Sequence, residues 1–247
     1  MPRIERERSS SGIYHIMSRG INRQQIFEDD DDYLLLLDCL RRYQATCEYR
    51  LHAYCLLGNH YHLLIEVKDD SLAEVLRRVG TRFVYWYNWK HQRSGHLFQD
   101  RFKSEPVETD AYFLTVLRYI HRNPVKAKLC RDPADYRYCS YGAYLGNGDD
   151  LVCTSLALGM ISVEDFVRFH HEDNDDECLD LKAANRLTDA EALALIKDTA
   201  GIKDPSTLQV LGIPERDDAL RKLKATVLSI RQISRLTGIS KKVVEKA

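Results

Sequence analysis

His60 and His62 stand one residue apart within His60-Tyr61-His62-Leu63-Leu64-Ile65-Glu66-Val67. That octet has the composition of a strand, and side chains on a strand alternate between its two faces. Tyr61, Leu63, Ile65 and Val67 then face a core, while His60, His62, Leu64 and Glu66 share the opposite side. Two imidazoles on one face suit a single divalent cation, although a pair of surface or cross-strand histidines gives the same spacing. A second group is Tyr112, Tyr119 and Asn123, whose separations of seven and four return to nearly one azimuth of a helix. A tyrosine hydroxyl and an amide oxygen one turn apart could address one ligand, whereas tyrosines beside an apolar stripe are more often core-edge residues. The other seven histidines, His15 among them, show no ligand spacing. There is no Cys-x-x-Cys, Gly-x-Ser-x-Gly, His-Glu-x-x-His or Gly-rich phosphate loop. Cys55 would fall across a two-residue hairpin from His62 and reads as a buried, inert thiol.

The elements that must hold these residues follow from pattern. Tyr14 to Arg19 is a first strand ended by Gly20. Glu28-Asp29-Asp30-Asp31-Asp32 precedes an apolar run reaching about Cys47, and carboxylates there mark a helix start. Residues 49–57 pair with the His60 strand through Gly58-Asn59. Ser71 caps a second helix to about Trp89, with Phe83 and Trp86 inward and Arg77, Arg78 and Arg82 toward solvent. Gly95 to Ser104 leads into a strand ending near Val107, and a third helix runs from Asp110 to Asn123, stopped by Pro124. The order β-α-β-β-α-β predicts an α+β fold with a ferredoxin-like antiparallel sheet over residues 1–147. Residues 148–187 read as an acidic linker. Residues 188–247 are predicted to be an all-α module with a helix-turn-helix at 228–244, turned by Gly238 and capped by Ser240.

Composition narrows the classes. A chain of 247 residues, 44% hydrophobic and 30% charged, can build one sizeable core and a smaller module. No run of eighteen apolar residues occurs and the first residues lack a signal peptide's apolar segment, so a cytoplasmic protein without a membrane partner is expected. Seven cysteines, an odd number, fit a reducing compartment. The net charge of −1 conceals an asymmetry: residues 71–131 carry 12 Lys and Arg against 5 Asp and Glu, and residues 201–247 carry 10 against 5. Residues 146–200 carry 4 against 13. Two basic regions around an acidic one suggest surfaces for a polyanion, or simply solvated faces.

Three motifs in order, Gly58 to Leu64, Gly95 to Ser104 and Leu117-Arg118-Tyr119-Ile120-His121-Arg122-Asn123-Pro124-Val125-Lys126, resemble those of the REP-associated tyrosine transposases, in the single-tyrosine HUH superfamily. The resemblance covers roughly residues 12–145. It implies an HUH nuclease domain with Tyr119 as catalytic nucleophile, and His60, His62 and Asn123 as ligands of Mg²⁺ or Mn²⁺. Many HUH relatives carry Gln where this chain has the shorter Asn123. The resemblance further implies DNA phosphate contacts at Arg101 and Lys103, and Arg19, Arg118 and Arg122 are further candidate DNA contacts. Arg231, Lys241 and Lys242 of the terminal module are candidate contacts to duplex DNA. Expected partners are single-stranded or hairpin DNA, and the protein itself is a monomer or homodimer. A DNA-binding regulator that has lost its chemistry, and a metal-dependent hydrolase using bound water, remain alternatives.

Overall fold

The computed structural model describes residues 7–68, 72–147, 149–172, 176, 178–179, 189–202, 204–226, 228 and 230–247. The chain divides into two compact units, Met1–Asp180 and Leu181–Ala247. In the first, β1 (Ile13–Arg19), β2 (Arg50–Leu57), β3 (His60–Glu66) and β4 (Lys103–Pro106) form one sheet in the order β2-β3-β1-β4, every pair antiparallel. With α1 (Asp30–Cys47) after β1 and α2 (Leu72–Lys90) after β3, this is the predicted ferredoxin-like α+β arrangement.

Local chemistry explains these elements. The Asp29 side chain accepts from Asp32 N–H while Asp32 reaches back to the N-cap backbone, so the acidic run opens α1 as a capping box. Asp32 is buried and is met by Lys90 and His91 from the end of α2, which ties the two helices together. Gly58 and Asn59 make the two-residue turn, closed by Leu57 opposite His60. Ser71, the expected cap of α2, lies outside the described residues. The third helix, α3 (Asp110–Lys126), is capped by Thr109, whose hydroxyl accepts from Tyr112 N–H at 3.2 Å. It does not stop at Asn123: Pro124 sits inside its last turn. Only one helical hydrogen bond is forfeited that close to the end, and Ala127 N–H still reaches Asn123 O at 2.8 Å.

The sequence boundary at residue 147 also moves. Residues 151–171, read above as the start of the linker, pack onto the first unit. Val152 bridges to Leu51, and α4 (Ser155–Met160) and α5 (Val163–His171) bury Ala157 and Phe166, with Phe166 stacked on Tyr144 at 4.7 Å. The apolar residues of this stretch outweigh its carboxylates, which concentrate from Glu172 onward.

A buried polar chain fastens α5 to α3. His170 Nδ1 donates to Phe166 O at 2.8 Å, and its Nε2 accepts from His121 Nδ1 at 3.0 Å. His121 Nε2 accepts from the Ser140 hydroxyl at 2.9 Å, and that oxygen accepts from Tyr54 N–H. Every atom is satisfied with both rings neutral. Burial holds His121 well below the ordinary histidine range and brings His170 down to about 3. The unfolded chain therefore binds protons first: stability from this pair is complete above pH 6.5 and falls as pH drops toward 3, by up to about 1.4 kcal/mol per pH unit for each ring. Denaturant midpoints measured from pH 7 to 4 should fall steeply in the wild type. The slope should be less by about one proton in His170→Gln, whose amide oxygen can still accept from His121 but does not titrate.

The second unit is all-helical: α6 (Asp189–Ala200), α7 (Ile213–Lys224), α8 (Ile230–Thr237) and α9 (Lys241–Lys246) around Ile196, Leu208, Leu220, Leu223, Ile233 and Val244. Gly238, at φ +73°, makes the turn between α8 and α9. No helix among the described residues is long and apolar enough to cross a membrane.

Candidate active site

The β1–β3 register sets Arg19 opposite His60, Met17 opposite His62 and His15 opposite Leu64. Directly opposed residues share a face, so His15 joins His60 and His62 on one side of the sheet. Cys55 stands opposite His62 from β2, fully buried, its thiol pushed well above the ordinary range by burial. Lys103 and Glu105 of β4 reach the same side opposite Met17 and His15.

The third helix covers this face. Tyr119, 4% exposed, lies edge-on to both His62 and His15, with ring centroids 5.7 Å apart in each case. His60 and His62 are 5.2 Å apart, centroid to centroid. Asn123 is 8% exposed one turn beyond Tyr119, and its Nδ2 donates to Tyr119 O at 2.9 Å. That bond engages the amide nitrogen, so any ligation by Asn123 would fall to Oδ1. Lys126, a further turn on, places Nζ 4.5 Å from the Tyr119 ring centre.

Hydrogen bonding fixes the tautomers. His60 Nδ1 faces Asn59 Oδ1 at 2.6 Å, an oxygen that can only accept, so Nδ1 carries the hydrogen and Nε2 presents its lone pair. His62 Nδ1 meets His15 Nε2 at 3.0 Å, and the far nitrogen of His15 lies 3.8 Å from Glu105 Oε2. The carboxylate, beyond hydrogen-bond reach at that distance, favours a hydrogen on His15 Nδ1 by its charge, and His62 then donates to His15. The His62 Nε2 is then a bare lone pair, buried and with no hydrogen-bond partner among the described residues. The neighbouring His15, then the Tyr112 hydroxyl and Leu179 N–H, hold Glu105 below the usual carboxylate range despite its partial burial. Burial, then the charges of His15, His60 and Arg19, keep His62 neutral. A neutral imidazole whose second nitrogen is anchored is the form that binds a metal. No group of three or more His, Cys, Asp or Glu side chains gathers for a metal among the described residues. The sequence-predicted ligands are instead two imidazoles and the Asn123 amide, one turn beyond Tyr119.

The basic candidates divide. Arg19 ends β1 beside His60, Lys103 is exposed on the histidine side of β4, and Arg101 is exposed just before it. Arg118 is buried on α3, forked onto Asp176 at 2.7 and 2.9 Å and stacked on Phe169. Arg122 donates to His170 O and Glu172 O, and Lys126 to Asp176 O. A phosphate that takes Arg118 must displace a carboxylate. Lys241 and Lys242 are exposed at the start of α9, Lys241 paired with Glu245 at 3.2 Å. The Arg231 side chain lies outside the described residues.

Sequence spacing missed His15, Glu105 and Lys126. The ferredoxin-like order held the signal, because it sets β1 between β3 and β4, so a histidine of β1 lies beside the His62 strand and a carboxylate of β4 beside that histidine.

A four-stranded ferredoxin-like sheet whose central strands carry histidines facing a helix-borne tyrosine defines the class of domain. Residues 8–123 match the family model described as "Transposase IS200 like". A solved structure described as "Structure of the REP associates tyrosine transposase bound to a REP hairpin" has the same fold. It is 16% identical, with a TM-score of 0.57 over 76% of this chain and 99% of that one. No curated protein matches the sequence.

Proposed function

We propose that the first unit cleaves and rejoins single-stranded DNA beside a hairpin, with Tyr119 as nucleophile and Mg²⁺ or Mn²⁺ as cofactor. The observation that carries this reading is the contact of Tyr119 with His62, whose buried Nε2 has no other partner. His60 and His62 through Nε2, and Asn123 through Oδ1, would hold the ion. When bound, it supplies a positive charge to a non-bridging phosphate oxygen and so stabilises charge that builds during attack.

Tyr119 Oη attacks the scissile phosphorus and gives up its proton, and the bond from phosphorus to O3′ breaks. The departing O3′ takes a proton, and a 5′-phosphotyrosine remains on the chain. Attack by another 3′-hydroxyl reverses the step and rejoins the strand without an external energy source. Arg19, Arg101 and Lys103 are the candidates for flanking phosphates. Lys126, beside the Tyr119 ring, is a further cation that could meet the scissile phosphate. Both histidines and the tyrosine come from one unit, so a single chain suffices for one cleavage. The α8–α9 pair, as a helix-turn-helix carrying Lys241 and Lys242, would add contacts to a duplex stem.

The test is a pool of hairpin-bearing single strands with randomised flanks, incubated with the protein and Mg²⁺ or Mn²⁺. A denaturation-resistant adduct should form, and its peptide should map to Tyr119. Binding without an adduct would leave the regulator reading. Metal-dependent cutting without one would leave the hydrolase.

A further inference from the structure

On the sheet face opposite the histidines, a cleft of about 770 Å³ opens between α2 and the segment 98–102. Tyr61, Leu76, Val84 and Phe98 line it, and Tyr85, 79% exposed, stands at its lip. Arg101, exposed on the opposite side, has no ion pair among the described residues. Two observations say that this space is built for an occupant.

Gly80 stands in the middle of α2 and borders the cleft, and a Cβ added there would meet nothing within 4 Å. Glycine weakens a helix interior relative to alanine, and among the described residues no close backbone approach to Gly80 offsets that. Asn88, two turns further along the helix, donates its Nδ2 to Gly95 O at 3.1 Å, but its buried Oδ1 has no partner. That acceptor is buried behind the cleft wall, and a planar ligand with an N–H edge would satisfy it once the Asn88 side chain turns toward the cleft.

The position of the cleft names the source of that ligand. Ser18 and Tyr61, which line it, are opposed across β1 and β3, one residue along from the opposed pair Arg19 and His60. A strand whose phosphate rests at His60 and His62 therefore needs only to round the end of the sheet to reach the cleft. Gln99 N–H bonds to Arg19 O at 2.9 Å and Ile21 N–H to Leu97 O at 2.8 Å, which fixes the 98–102 segment at that same end.

We propose that the cleft receives one unstacked nucleobase of the single-stranded segment flanking the scissile phosphate, a claim that rests on the function proposed above. The base stacks against Tyr85 and Phe98, donates an amino or ring N–H to Asn88 Oδ1, and leaves its phosphate to Arg101.

Gly80→Leu tests this, because it fills the cleft while improving helix propensity. The probe is the strand recovered by affinity from the randomised-flank pool, intact or abasic at each flanking position. For the wild type, one abasic position should weaken binding by about five- to a hundredfold, the range of a lost base–aromatic stack. Gly80→Leu should lose a similar factor on the intact strand and nothing further on that abasic strand. Tyr85→Ala, an exposed truncation, should show the same pattern with a smaller loss. Binding by Gly80→Leu within twofold of wild type would overturn the proposal. So would equal losses on intact and abasic strands, a change only in self-association, or no recovered strand. Adduct formation by the wild type is read separately, so the chemistry and the cleft can fail independently.

Discussion

Tyr119→Phe is expected to abolish the covalent protein–DNA adduct and to lower strand cleavage by at least about 10⁴-fold, the scale on which losing a nucleophile disables covalent enzymes. Hairpin-strand binding should stay within about twofold. The substitution removes one oxygen from a side chain that is 4% exposed, and a phenyl ring fills the same space. The Tyr119 carbonyl, which holds Asn123, is untouched, so the amide keeps its place on the helix. The measurement is single-turnover cleavage of an end-labelled hairpin strand with saturating Mn²⁺, resolved under denaturing conditions. Cutting that persists in Tyr119→Phe would assign the nucleophile to water and sink the phosphotyrosine route. Thermal unfolding of both proteins shows that the comparison is between folded molecules.

How far such a site can be read before folding depends on how local its determinants are. The His60–His62 strand, its two-residue turn and the capped acidic start of α1 were legible because each is fixed by residues within a few positions of one another. The sheet followed from the order of elements, since βαββαβ leaves few ways to bury two faces. His15 was not legible as part of the centre: its contact with His62 spans 47 residues and arises only when β1 pairs with β3. Arg118 and Arg122 were expected on DNA, because helical spacing gives azimuth but not neighbours. The neighbours, Asp176 and the carbonyls of His170 and Glu172, come from a segment whose acidic composition suggested a linker. Pro124 was read as a stop, although a proline in the last turn of α3 costs the helix a single hydrogen bond, to Ile120 O, and the helix continues to Lys126.

His62→Ala is expected to lower metal-dependent cleavage by about 10³-fold at any Mn²⁺ concentration, because it deletes the buried lone pair that would hold the ion against the phosphate. His15→Ala should behave differently. His15 offers no lone pair to the ion on this assignment: its Nε2 is occupied by His62 and its other nitrogen faces Glu105. Its task is to hold the His62 proton on Nδ1 and the ring in place, and losses of that kind cost about 10- to 100-fold in metal affinity. Mn²⁺ binding followed by the electron paramagnetic resonance of the free ion should weaken by that factor in His15→Ala, while cleavage recovers toward wild type as Mn²⁺ is raised. His15→Gln, whose amide oxygen can accept from His62 Nδ1, should restore most of the affinity; a merely space-filling role would be restored as well by His15→Leu. Equal Mn²⁺ affinity in wild type and His15→Ala would show that His62 needs no support from β1. The division of labour follows from topology: β3 carries the ligands, and the strand that the fold sets beside it decides which nitrogen of His62 is bare.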